Sequence, residues 1–442
     1  MVKVRPGLAC LAAFLAIVGP SARGDDAGDW FDKHEGELVS LYRHLHAHPE
    51  LSYKEVATAA RVAEELKKAG ATVTEQVGQT GVVGVMKNGE GPTVLVRTDL
   101  DALPVTEATG LPYASKATAP DDAGNPVGVM HACGHDVHMT SLVGTARWLG
   151  EHKDRWAGTV LFIGQPAEEK IGGAKAMLAD GLYTRFPKPD YALALHVAHD
   201  LEAGKLAYTS GPAMASSTSV DVLVKGKGGH GAMPQNTVDP IALAALLVLD
   251  LQTIVSREVN PIHPAVLTVG SIHGGTKHNI IPNDVRLQLT LRAFQPDVAD
   301  QLVEGIRRRA AGLAEAHRAP APVVTVGENT PPTINTPALV AKVLPMLAKE
   351  LGTSNLVEVE PTMGAEDFGL FGQGGVPTFM FRLGTIPPER LAAAKAKGET
   401  MPSLHSALYQ PEASTSLRTG VRAMTAAVVG LLPPRASEKA ER

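Results

Sequence analysis

The sequence predicts an α/β protein in which a larger layered domain is interrupted by a smaller inserted domain. Two observations lead to this prediction. Helix and strand patterns alternate over residues 29–203, and a βαββαβ order then follows from about 209 to 327. Alternation favours a layered domain with a largely parallel sheet, and the second order is that of a split ferredoxin-like unit. We therefore place the inserted domain at 209–324, between the two parts of the larger domain at 25–208 and 325–435.

Hydrophobic periodicity and chain breakers define the elements of the larger domain. A helical pattern ends at Gly70, and the apolar run that follows it is typical of a buried strand. The predicted elements are a helix at 57–69, a strand at 92–97, a helix at 138–149, a strand at 159–164, a helix beginning at 173–178, a strand at 191–196 and, after the insert, helices at 337–351 and 413–432.

The inserted domain shows period-two alternation, which is typical of strands with one buried face. Val220, Val222 and Val224 alternate with polar residues or leucine in its first strand. The predicted order is a strand at 219–225, a helix at 240–256, strands at 265–272 and 285–292, a helix at 298–317 and a strand at 322–327.

Composition excludes several classes of protein. Of the 442 residues, 44% are hydrophobic and 20% are charged, which is typical of a folded globular chain and not of a disordered or fibrous one. The formal net charge is −5, so no basic excess indicates binding to nucleic acid. Two cysteines are too few for a disulfide framework.

The N-terminus has the pattern of a secretory signal peptide at residues 1–24. Two basic residues precede an uncharged apolar run, and small residues follow that run. The run is too short for a transmembrane helix, although an uncleaved anchor is the alternative. We therefore expect an exported protein, periplasmic or secreted, with no membrane span after signal cleavage and with Cys133 as its single thiol. A short tail at 436–442 ends the chain.

A cluster of metal-binding side chains lies at residues 131–138, at the start of a predicted helix. It holds three histidines together with Cys133 and Asp136. Cys133 and His135 alternate, so an extended segment would project both side chains to one face. Thiolate and imidazole suit zinc and neighbouring transition metals. A surface histidine-rich turn is the alternative for this cluster taken alone.

An acidic pair, Glu168 and Glu169, follows the strand predicted at 159–164. Ligands of α/β sheets bind at such strand ends. Adjacent carboxylates point apart, so one can bind a metal ion while the other acts on water as a general base. An acidic helix start is the alternative, because carboxylates are favoured at helix N-termini.

Three further positions supply potential metal ligands. His196 ends an apolar strand, His405 lies near the C-terminus, and Glu366 and Asp367 form another acidic pair. A lone histidine after an apolar strand is more often a core or edge residue than a ligand. Each of these signals is weak alone. All of them, like the histidine cluster, consist of side chains that bind metal ions, so together they are stronger evidence for a metal site than any one alone.

In chain order, these motifs resemble those of the dinuclear-metal amidohydrolases, a family that includes hippurate hydrolase, plant indoleacetyl-amino-acid hydrolases and N-acyl-amino-acid aminoacylases. The resemblance covers nearly the whole chain after residue 24. The matching stretches are 43–52, 97–104, 131–136, 165–169, 228–234, 274–282, 363–368 and 404–406. Chance agreement does not account for so many collinear motifs.

The resemblance implies a metallopeptidase-type α/β catalytic domain with an inserted ferredoxin-like dimerisation domain. It also implies two divalent metal ions per subunit, of zinc, manganese, cobalt or nickel, with Cys133 suited to bridge them. Glu168 is the implied general base. In this family the histidine equivalent to His230 reaches the active site of the partner subunit, which implies a homodimer. The implied metal ligands are Cys133, His135, Glu169, His196 and His405.

The resemblance gives other residues secondary roles. Asn279 and Arg292 match positions that hold the acyl oxygen or carboxylate of the substrate, and Asp101 matches a residue beside the metal ions. His48 and the acidic pair at 366–367 match supporting positions.

The resulting expectation is a metal-dependent amidohydrolase that cleaves N-acyl or N-aroyl amino acids to a carboxylic acid and a free amino acid. A dipeptidase or carboxypeptidase of the same family is the alternative, so the expected substrate is a small N-acyl amino acid or a dipeptide. A hydrolase with Cys133 as nucleophile and His135 or His131 as base is a further alternative, and a non-catalytic binding protein is another. Departures from the family pattern at Gln235 and Tyr409 leave the substrate open.

Overall fold

The structure of the chain is a computed structural model, and it describes residues 27–434. The predicted signal peptide at 1–24 and the predicted tail at 436–442 lie outside the described residues. The helices are α1 (Ala27–Ala47), α2 (Val56–Lys68), α3 (His135–Glu151), α4 (Gly173–Ala179), α5 (Leu182–Arg185), α6 (Pro240–Thr253), α7 (Pro296–Ala316), α8 (Pro337–Leu351), α9 (Pro388–Lys397) and α10 (Ala413–Leu431).

The strands alternate with these helices. In chain order they are β1 (Thr72–Val77), β2 (Gly81–Asn88), β3 (Thr93–Asp99), β4 (Thr118–Pro120), β5 (Pro126–Gly128), β6 (Gly158–Gln165), β7 (Tyr191–Glu202), β8 (Leu206–Tyr208), β9 (Gly211–Met214), β10 (Ser217–Lys225), β11 (Gly229–His230), β12 (Ala265–Gly274), β13 (Ile280–Ile281), β14 (Asp284–Ala293), β15 (Val323–Thr330), β16 (Thr333–Asn335), β17 (Leu356–Glu358) and β18 (Thr378–Ile386).

The larger sheet has eight strands in the order β1-β2-β6-β3-β7-β18-β8-β17. Its centre, β6-β3-β7-β18, is parallel, whereas β1-β2, β2-β6 and β18-β8 pair in antiparallel fashion. The α/β prediction is confirmed. The sheet is parallel at its centre and between β8 and β17 at one edge, so the expectation of a largely parallel sheet holds for four of its seven strand pairs. The short turn at 78–80 between β1 and β2 permits only antiparallel pairing.

Helices cover both faces of this sheet. On one face α3 is buried along most of its length between the sheet and helices α1, α2 and α10. The core on this face includes Trp30 and Phe162. On the other face α4, α5 and the segment Asp367–Gly375 cover a second core around Leu161 and Phe368. The larger unit therefore has three layers, with helices on each side of the sheet.

The second sheet has four antiparallel strands in the order β12-β14-β10-β15. Helices α6 and α7 pack against it and against each other. The predicted alternation is observed, since Val220 and Val222 of β10 and Leu287 and Leu289 of β14 are buried in a core separate from those of the larger sheet. The order of these elements along the chain is βαββαβ, as the sequence predicts.

Helix α6 begins where its sequence provides a cap. The side chain of Asp239 accepts a hydrogen bond from the N–H of Ile241, and Pro240 occupies the first helical position, where a missing N–H costs nothing. The helix predicted at 240–256 stops being α-helical at Thr253 and continues as a π turn over Ile254–Glu258.

One helix of residues 27–434, Pro240–Glu258, is long and apolar enough to cross a membrane by length and composition alone. Its buried side, with Leu243 and Leu247, packs on the second sheet, whereas Leu249 is 69% exposed and Ile241 is 44% exposed. The prediction of no membrane span after signal cleavage stays a prediction.

Helices α3 and α10 approach each other closely at Gly144. A Cβ atom added there would lie 2.5 Å from Cγ2 of the buried Val421. We expect Gly144→Ala to lower the free energy of unfolding by ~1–3 kcal/mol, because the added methyl group overpacks the contact. Urea unfolding followed by circular dichroism measures this change.

The matched control is Gly36→Ala on α1, where nothing lies within 4 Å of the added atom. Alanine favours the helix there, so the free energy of unfolding should rise by up to ~1 kcal/mol. Adding Val421→Ala to Gly144→Ala should recover part of the loss. Similar effects of the two glycine substitutions would contradict close packing of α3 on α10.

Candidate metal centre

Three neighbouring strands bring acidic and imidazole groups to one edge of the larger sheet. β3 ends at Asp99 and is followed by Asp101, β6 is followed by Glu168 and Glu169, and His196 lies on β7. Because β6, β3 and β7 are adjacent and parallel, their carboxyl ends meet at the same edge.

The turn before α3 brings two more side chains to this edge. Gly134 has a φ of +73°, and a Cβ atom on it would lie 2.7 Å from Cγ2 of Val197, so the turn requires glycine. The next residue, His135, is the first of α3. The expectation of an extended segment with Cys133 and His135 on one face is therefore wrong. A turn and a helix start bring the two side chains together instead, and the helix predicted from residue 138 begins three residues earlier.

His405 reaches the same edge from the loop between α9 and α10. Its φ is +66°, in the left-handed region that residues other than glycine rarely adopt. Its N–H donates to the carbonyl oxygen of Ala132 over 2.9 Å. This hydrogen bond ties the loop to the segment that carries Cys133, although the His405 side chain is 55% exposed.

The side chains predicted as metal ligands converge on one volume. Sγ of Cys133 lies 3.6 Å from Nε2 of His196, and Nε2 of His405 lies 3.6 Å from Oε2 of Glu169. Two groups of three donor atoms result, each within 4.8 Å. The first joins Cys133, His135 and His196, and the second joins Cys133, Glu169 and His405. Cys133 belongs to both groups.

The donor atoms are oriented and left free as metal ligands require. Nδ1 of His135 donates to the carbonyl oxygen of Asp101 and Nδ1 of His196 to that of Val197, each over 2.8 Å, so both rings present Nε2 to this volume. Nε2 of His135 and Oε1 of Glu169 are buried without a hydrogen-bond partner in residues 27–434. Sulfur, imidazole and carboxylate donors suit divalent transition metals, so the residues present fit the two ions that the resemblance implies.

The electrostatics of this volume also favour the binding of a cation. Burial, together with the neighbouring Glu169 and Glu168, raises the pKa of the Cys133 thiol well above its ordinary value. Burial raises the pKa of Glu169 to about 7, although the nearby His135 opposes this. A divalent ion would reverse both shifts, because it stabilises the thiolate and the carboxylate.

The same shifts disfavour Cys133 as a nucleophile, which needs a lowered pKa and an imidazole base. Burial lowers the pKa of His196, the imidazole in contact with Cys133, well below its ordinary value. Burial lowers the pKa of His131 to about 4, and both ring nitrogens of His131 are buried without a partner among the described residues.

Glu168, the expected general base, lies beside the ligands. Its Oε2 atom is 3.9 Å from Nε2 of His135, and the side chain is buried. Burial, together with Glu366 and Glu169, raises its pKa well above the ordinary value for a carboxyl group. A carboxyl group with a raised pKa can both accept a proton from water and donate it to a leaving group.

Asp101 has the supporting position that the resemblance implies. Its Oδ2 atom accepts hydrogen bonds from the hydroxyl of Ser52 at 2.7 Å and from the N–H of Glu169 at 3.0 Å. Its carbonyl oxygen orients His135, as described above. His138 is not available as a ligand, because its Nδ1 donates to a carboxylate at 2.7 Å and its Nε2 accepts from a backbone N–H at 2.9 Å.

Behind the proposed ligands lies a network of buried charged side chains, of which the sequence predicts only some members. Arg97 donates over 2.8 Å to both Asp99 and Glu366, and Asp367 lies 3.3 Å from its guanidinium. The supporting positions of Glu366 and Asp367 are expected, whereas Arg97 and Asp99 receive no role. Two charged residues in the otherwise apolar run of β3 are the signal that could have found them, because buried charges are normally paired.

A chamber of about 440 Å³ opens in front of this edge. Cys133, Glu168 and His405 line it from the larger unit, and Arg292 of β14 lines it from the second sheet. Nη1 of Arg292 is buried and has no hydrogen-bond partner among residues 27–434. The second sheet therefore contributes a free cationic group to a chamber built mainly on the first.

Three other residues to which the resemblance gives roles, His230, Asn279 and His48, do not line this chamber. His230 and Asn279 are exposed on the ribbon of β11 and β13, where the N–H of Gly231 donates to the carbonyl oxygen of Asn279 at 2.9 Å. His48 is exposed near the end of α1, and its Nδ1 donates to the carbonyl oxygen of His44. Among the residues expected to bind substrate within residues 27–434, Arg292 is therefore the one that lines the chamber of its own chain.

Known proteins match this chain over most of its length. Residues 95–405 match the model of Peptidase family M20/M25/M40. The chain is 38% identical over 355 residues to Thermostable carboxypeptidase 1 of Saccharolobus solfataricus, an alignment that covers 79% of this chain and 86% of that protein. It is 39% identical over 342 residues to Hippurate hydrolase of Campylobacter jejuni, covering 76% and 85% of the two chains. It is 37% identical over 363 residues to IAA-amino acid hydrolase ILR1-like 4 of Arabidopsis thaliana, covering 81% and 78%.

Solved structures share the fold. A putative aminohydrolase from methicillin-resistant Staphylococcus aureus superposes with a TM-score of 0.80 at 30% identity and covers 92% of this chain and 99% of its own. The Bacillus subtilis YXEP protein, described as a dinuclear metal binding peptidase from the M20 family, has a TM-score of 0.74 at 28% identity and covers 91% and 99%.

We expect Cys133→Ser to retain fewer divalent ions per chain than the wild type. A thiol loses its proton when it binds a metal ion, whereas a serine hydroxyl tends to keep its proton. Because Cys133 belongs to both groups of donor atoms, the substitution affects both. The loss of affinity should exceed the ~10–100-fold effect of substitutions behind the ligands. Inductively coupled plasma mass spectrometry after desalting measures the ions retained.

His48→Ala is the control for this experiment, because its imidazole is exposed and lies outside the chamber lining. Its metal content should equal that of the wild type. A folded Cys133→Ser protein with wild-type metal content would count against ligation by Cys133.

Proposed function

Because the chain belongs to Peptidase family M20/M25/M40 and is a metal-dependent hydrolase of amide bonds, we propose that it cleaves N-acyl amino acids to a carboxylic acid and a free amino acid. The observation that carries this proposal is the convergence of the five donor side chains and Glu168 beside a chamber that Arg292 also lines, with its Nη1 unpaired among the described residues. The names of the relatives, a hippurate hydrolase and an IAA-amino acid hydrolase, support this substrate class.

In this proposal the centre holds two divalent ions. Cys133, His135, Glu169, His196 and His405 would hold them, and the solved relative described as dinuclear supports the number. When bound, such ions lower the pKa of water and polarise a carbonyl oxygen. The donor set accommodates zinc, manganese, cobalt or nickel, because selectivity among them depends on geometry and availability.

Glu168 moves the proton. It takes a proton from the attacking water as the water oxygen adds to the amide carbonyl carbon. The same carboxyl group then gives this proton to the nitrogen of the leaving amino acid as the C–N bond breaks. The raised pKa of Glu168, caused by burial and by Glu366 and Glu169, favours retention of the proton between the two steps.

Arg292 binds the carboxylate of the amino-acid part of the substrate. Its guanidinium is half-buried in the chamber lining, with Nη1 unpaired among the described residues. A planar guanidinium binds a carboxylate through two parallel hydrogen bonds, which also orients the scissile amide. The same contact would hold the C-terminal carboxylate of a peptide.

A second copy of the chain completes the site in this proposal. β12 is an edge strand of the four-stranded sheet. Ile272 on this strand is 52% exposed, and Leu249 on α6 is 69% exposed. Exposed edges and apolar patches favour association with another chain. The exposed His230 and Asn279 would then reach the chamber of the partner, where His230 stabilises the oxyanion formed from the amide carbonyl.

We also propose that the protein is exported to the periplasm or secreted. The pattern of residues 1–24, with basic residues, an apolar run and small residues in that order, supports this. N-terminal sequencing of the protein from its native host, giving a start near residue 25, tests it.

A carboxypeptidase or dipeptidase activity is the second candidate, and the identity with Thermostable carboxypeptidase 1 favours it. Product analysis with N-acetyl, N-benzoyl and indoleacetyl amino acids, together with dipeptides, separates the two activities. Hydrolysis of the dipeptides alone would favour the second candidate. Hydrolysis of no member of the panel by metal-loaded protein would contradict both.

We expect Glu168→Gln to lower kcat by at least ~10²–10⁴-fold, because the amide can neither accept the proton of water nor return it to the leaving nitrogen. The variant should retain its metal ions, since the five ligands are unchanged. Steady-state kinetics and metal content on the same preparation measure both. Near-normal turnover with full metal content would remove Glu168 from this role.

We expect His230→Ala to abolish turnover, and an equimolar mixture with Glu168→Gln to regain part of it. A mixed dimer has one site with both Glu168 and a partner's His230, so activity should rise toward a quarter of the wild-type value after subunit exchange. Analytical ultracentrifugation checks that dimers form. A dimeric mixture without recovered activity would show that His230 acts within its own chain.

A further inference from the structure

Arg382 faces the chamber from an otherwise apolar strand. β18 is buried along its length except at Arg382, which is also its one charged residue. Phe381 and Leu383 on either side point into the core below α3 and α10. Arg382 and Met380 therefore lie on the opposite face of the strand, and both line the chamber.

The register of the sheet places Arg382 beside the metal centre. In the parallel pairing of β18 with β7, Arg382 lies opposite His196. Paired residues of parallel strands project to the same face, and the strands are ~4.8 Å apart. The Arg382 side chain therefore begins one strand away from His196, a proposed metal ligand, and on the same face of the sheet.

The protein itself satisfies little of the Arg382 guanidinium. A guanidinium has five N–H donors, and the ion pair of Arg382 within residues 27–434 is a single contact of 3.2 Å with Asp200. The side chain of Asp200 is 59% exposed, and an exposed ion pair stabilises a protein little. A carboxylate of the substrate can therefore replace Asp200 without leaving a buried charge unpaired.

Two guanidiniums thus face one chamber, because Arg292 also lines it with an unpaired Nη1. Apart from the metal ligands and Glu168, the lining includes one carboxylate, that of Glu360, which is exposed. If Arg292 binds the α-carboxylate of the amino acid, Arg382 remains for a second anionic group.

We propose that Arg382 determines specificity by binding a second carboxylate of the substrate. The inference rests on the proposed amidohydrolase function and narrows its substrates to N-acyl amino acids with two carboxylates. The second carboxylate can come from a dicarboxylic acyl group or from the side chain of an acidic amino acid. Both sources present the same chemistry to Arg382, a planar anion that accepts two hydrogen bonds from the guanidinium.

Two matched substrate pairs test the inference and separate the sources. N-succinyl-leucine against N-succinamoyl-leucine tests the acyl group, and N-acetylglutamate against N-acetylglutamine tests the side chain. On metal-loaded wild type, kcat/KM for the anionic member of one pair should exceed that of the neutral member ~10–100-fold, as charge-assisted hydrogen bonds allow.

Arg382→Gln should abolish this preference mainly through KM while leaving the neutral member nearly unchanged, and Arg382→Lys should retain part of it. Asp200→Asn, a change on an exposed side chain, should lower KM for the anionic member a few-fold, because it frees Arg382 from its ion pair. This variant also tests the inference if the Arg382→Gln protein does not fold. Arg418→Gln is the matched control, because Arg418 pairs with the exposed Asp32 away from the chamber.

Equal losses on both members of each pair in Arg382→Gln, or an unchanged KM in Asp200→Asn, would overturn the inference. Hydrolysis of N-acyl amino acids by the wild type without preference for either anionic member, or with preference for the neutral members, overturns it while the proposed function stands. A wild type that hydrolyses no N-acyl amino acid removes the proposed function and this inference together.

Discussion

In the proposed function, the edge of the larger sheet depends on one electrostatic interaction, the attraction between a bound cation and a cluster of mostly buried donor atoms. Donor atoms of Cys133, Glu169 and their neighbours lie close together in groups within 4.8 Å, and most of these side chains are buried, although His405 is 55% exposed. Burial raises the pKa of the thiol and of the Glu169 carboxyl group, so without a cation the cluster holds protons where a metalloenzyme needs anions. The left-handed turn at Gly134 and the left-handed His405 are the backbone conformations that bring these atoms together.

A second layer of charge keeps this cluster in place. Arg97 is buried among three carboxylates and ties β3 to the segment that carries Glu366 and Asp367. Asp99 orients His138, whose other ring nitrogen accepts from the backbone of β7. Within this layer the charges are paired, as burial requires, because Asp99, Glu366 and Asp367 all contact Arg97. The network therefore restrains the strands that carry the ligands, and second-layer contacts of this kind commonly set the orientation and basicity of metal ligands.

In the proposed function, both sheets contribute to recognition of the substrate. The larger sheet contributes the metal ligands, Glu168 and Arg382, whereas the second sheet contributes Arg292. The exposed ribbon with His230 and Asn279 does not line the chamber of its own chain. A site assembled from separate units can change substrate by altering the walls while its metal centre stays constant, which agrees with the different activities named for relatives at 37–39% identity.

Local sequence patterns are sufficient to predict the strongly periodic elements and the types of side chain at the site. The alternation in β10 and β14, the buried run of β3 and the position of Glu168 and Glu169 after β6 are local patterns, and local patterns are encoded by neighbouring residues. The collinear motifs also predict the family, which the match of residues 95–405 confirms, without reference to the three-dimensional structure. α1 and the hairpin of β1 and β2 lay outside the predicted elements.

Which distant side chains meet depends on the order of the strands and the conformation of the loops. The order β6-β3-β7-β18 brings Glu168, His196 and Arg382 together, and it also explains why Arg97 is buried among acids from a segment some two hundred and seventy residues away. The turn at Gly134 replaced the extended segment that spacing suggested. Sheet order and loop conformation depend on packing over the whole domain, so no local pattern could supply them.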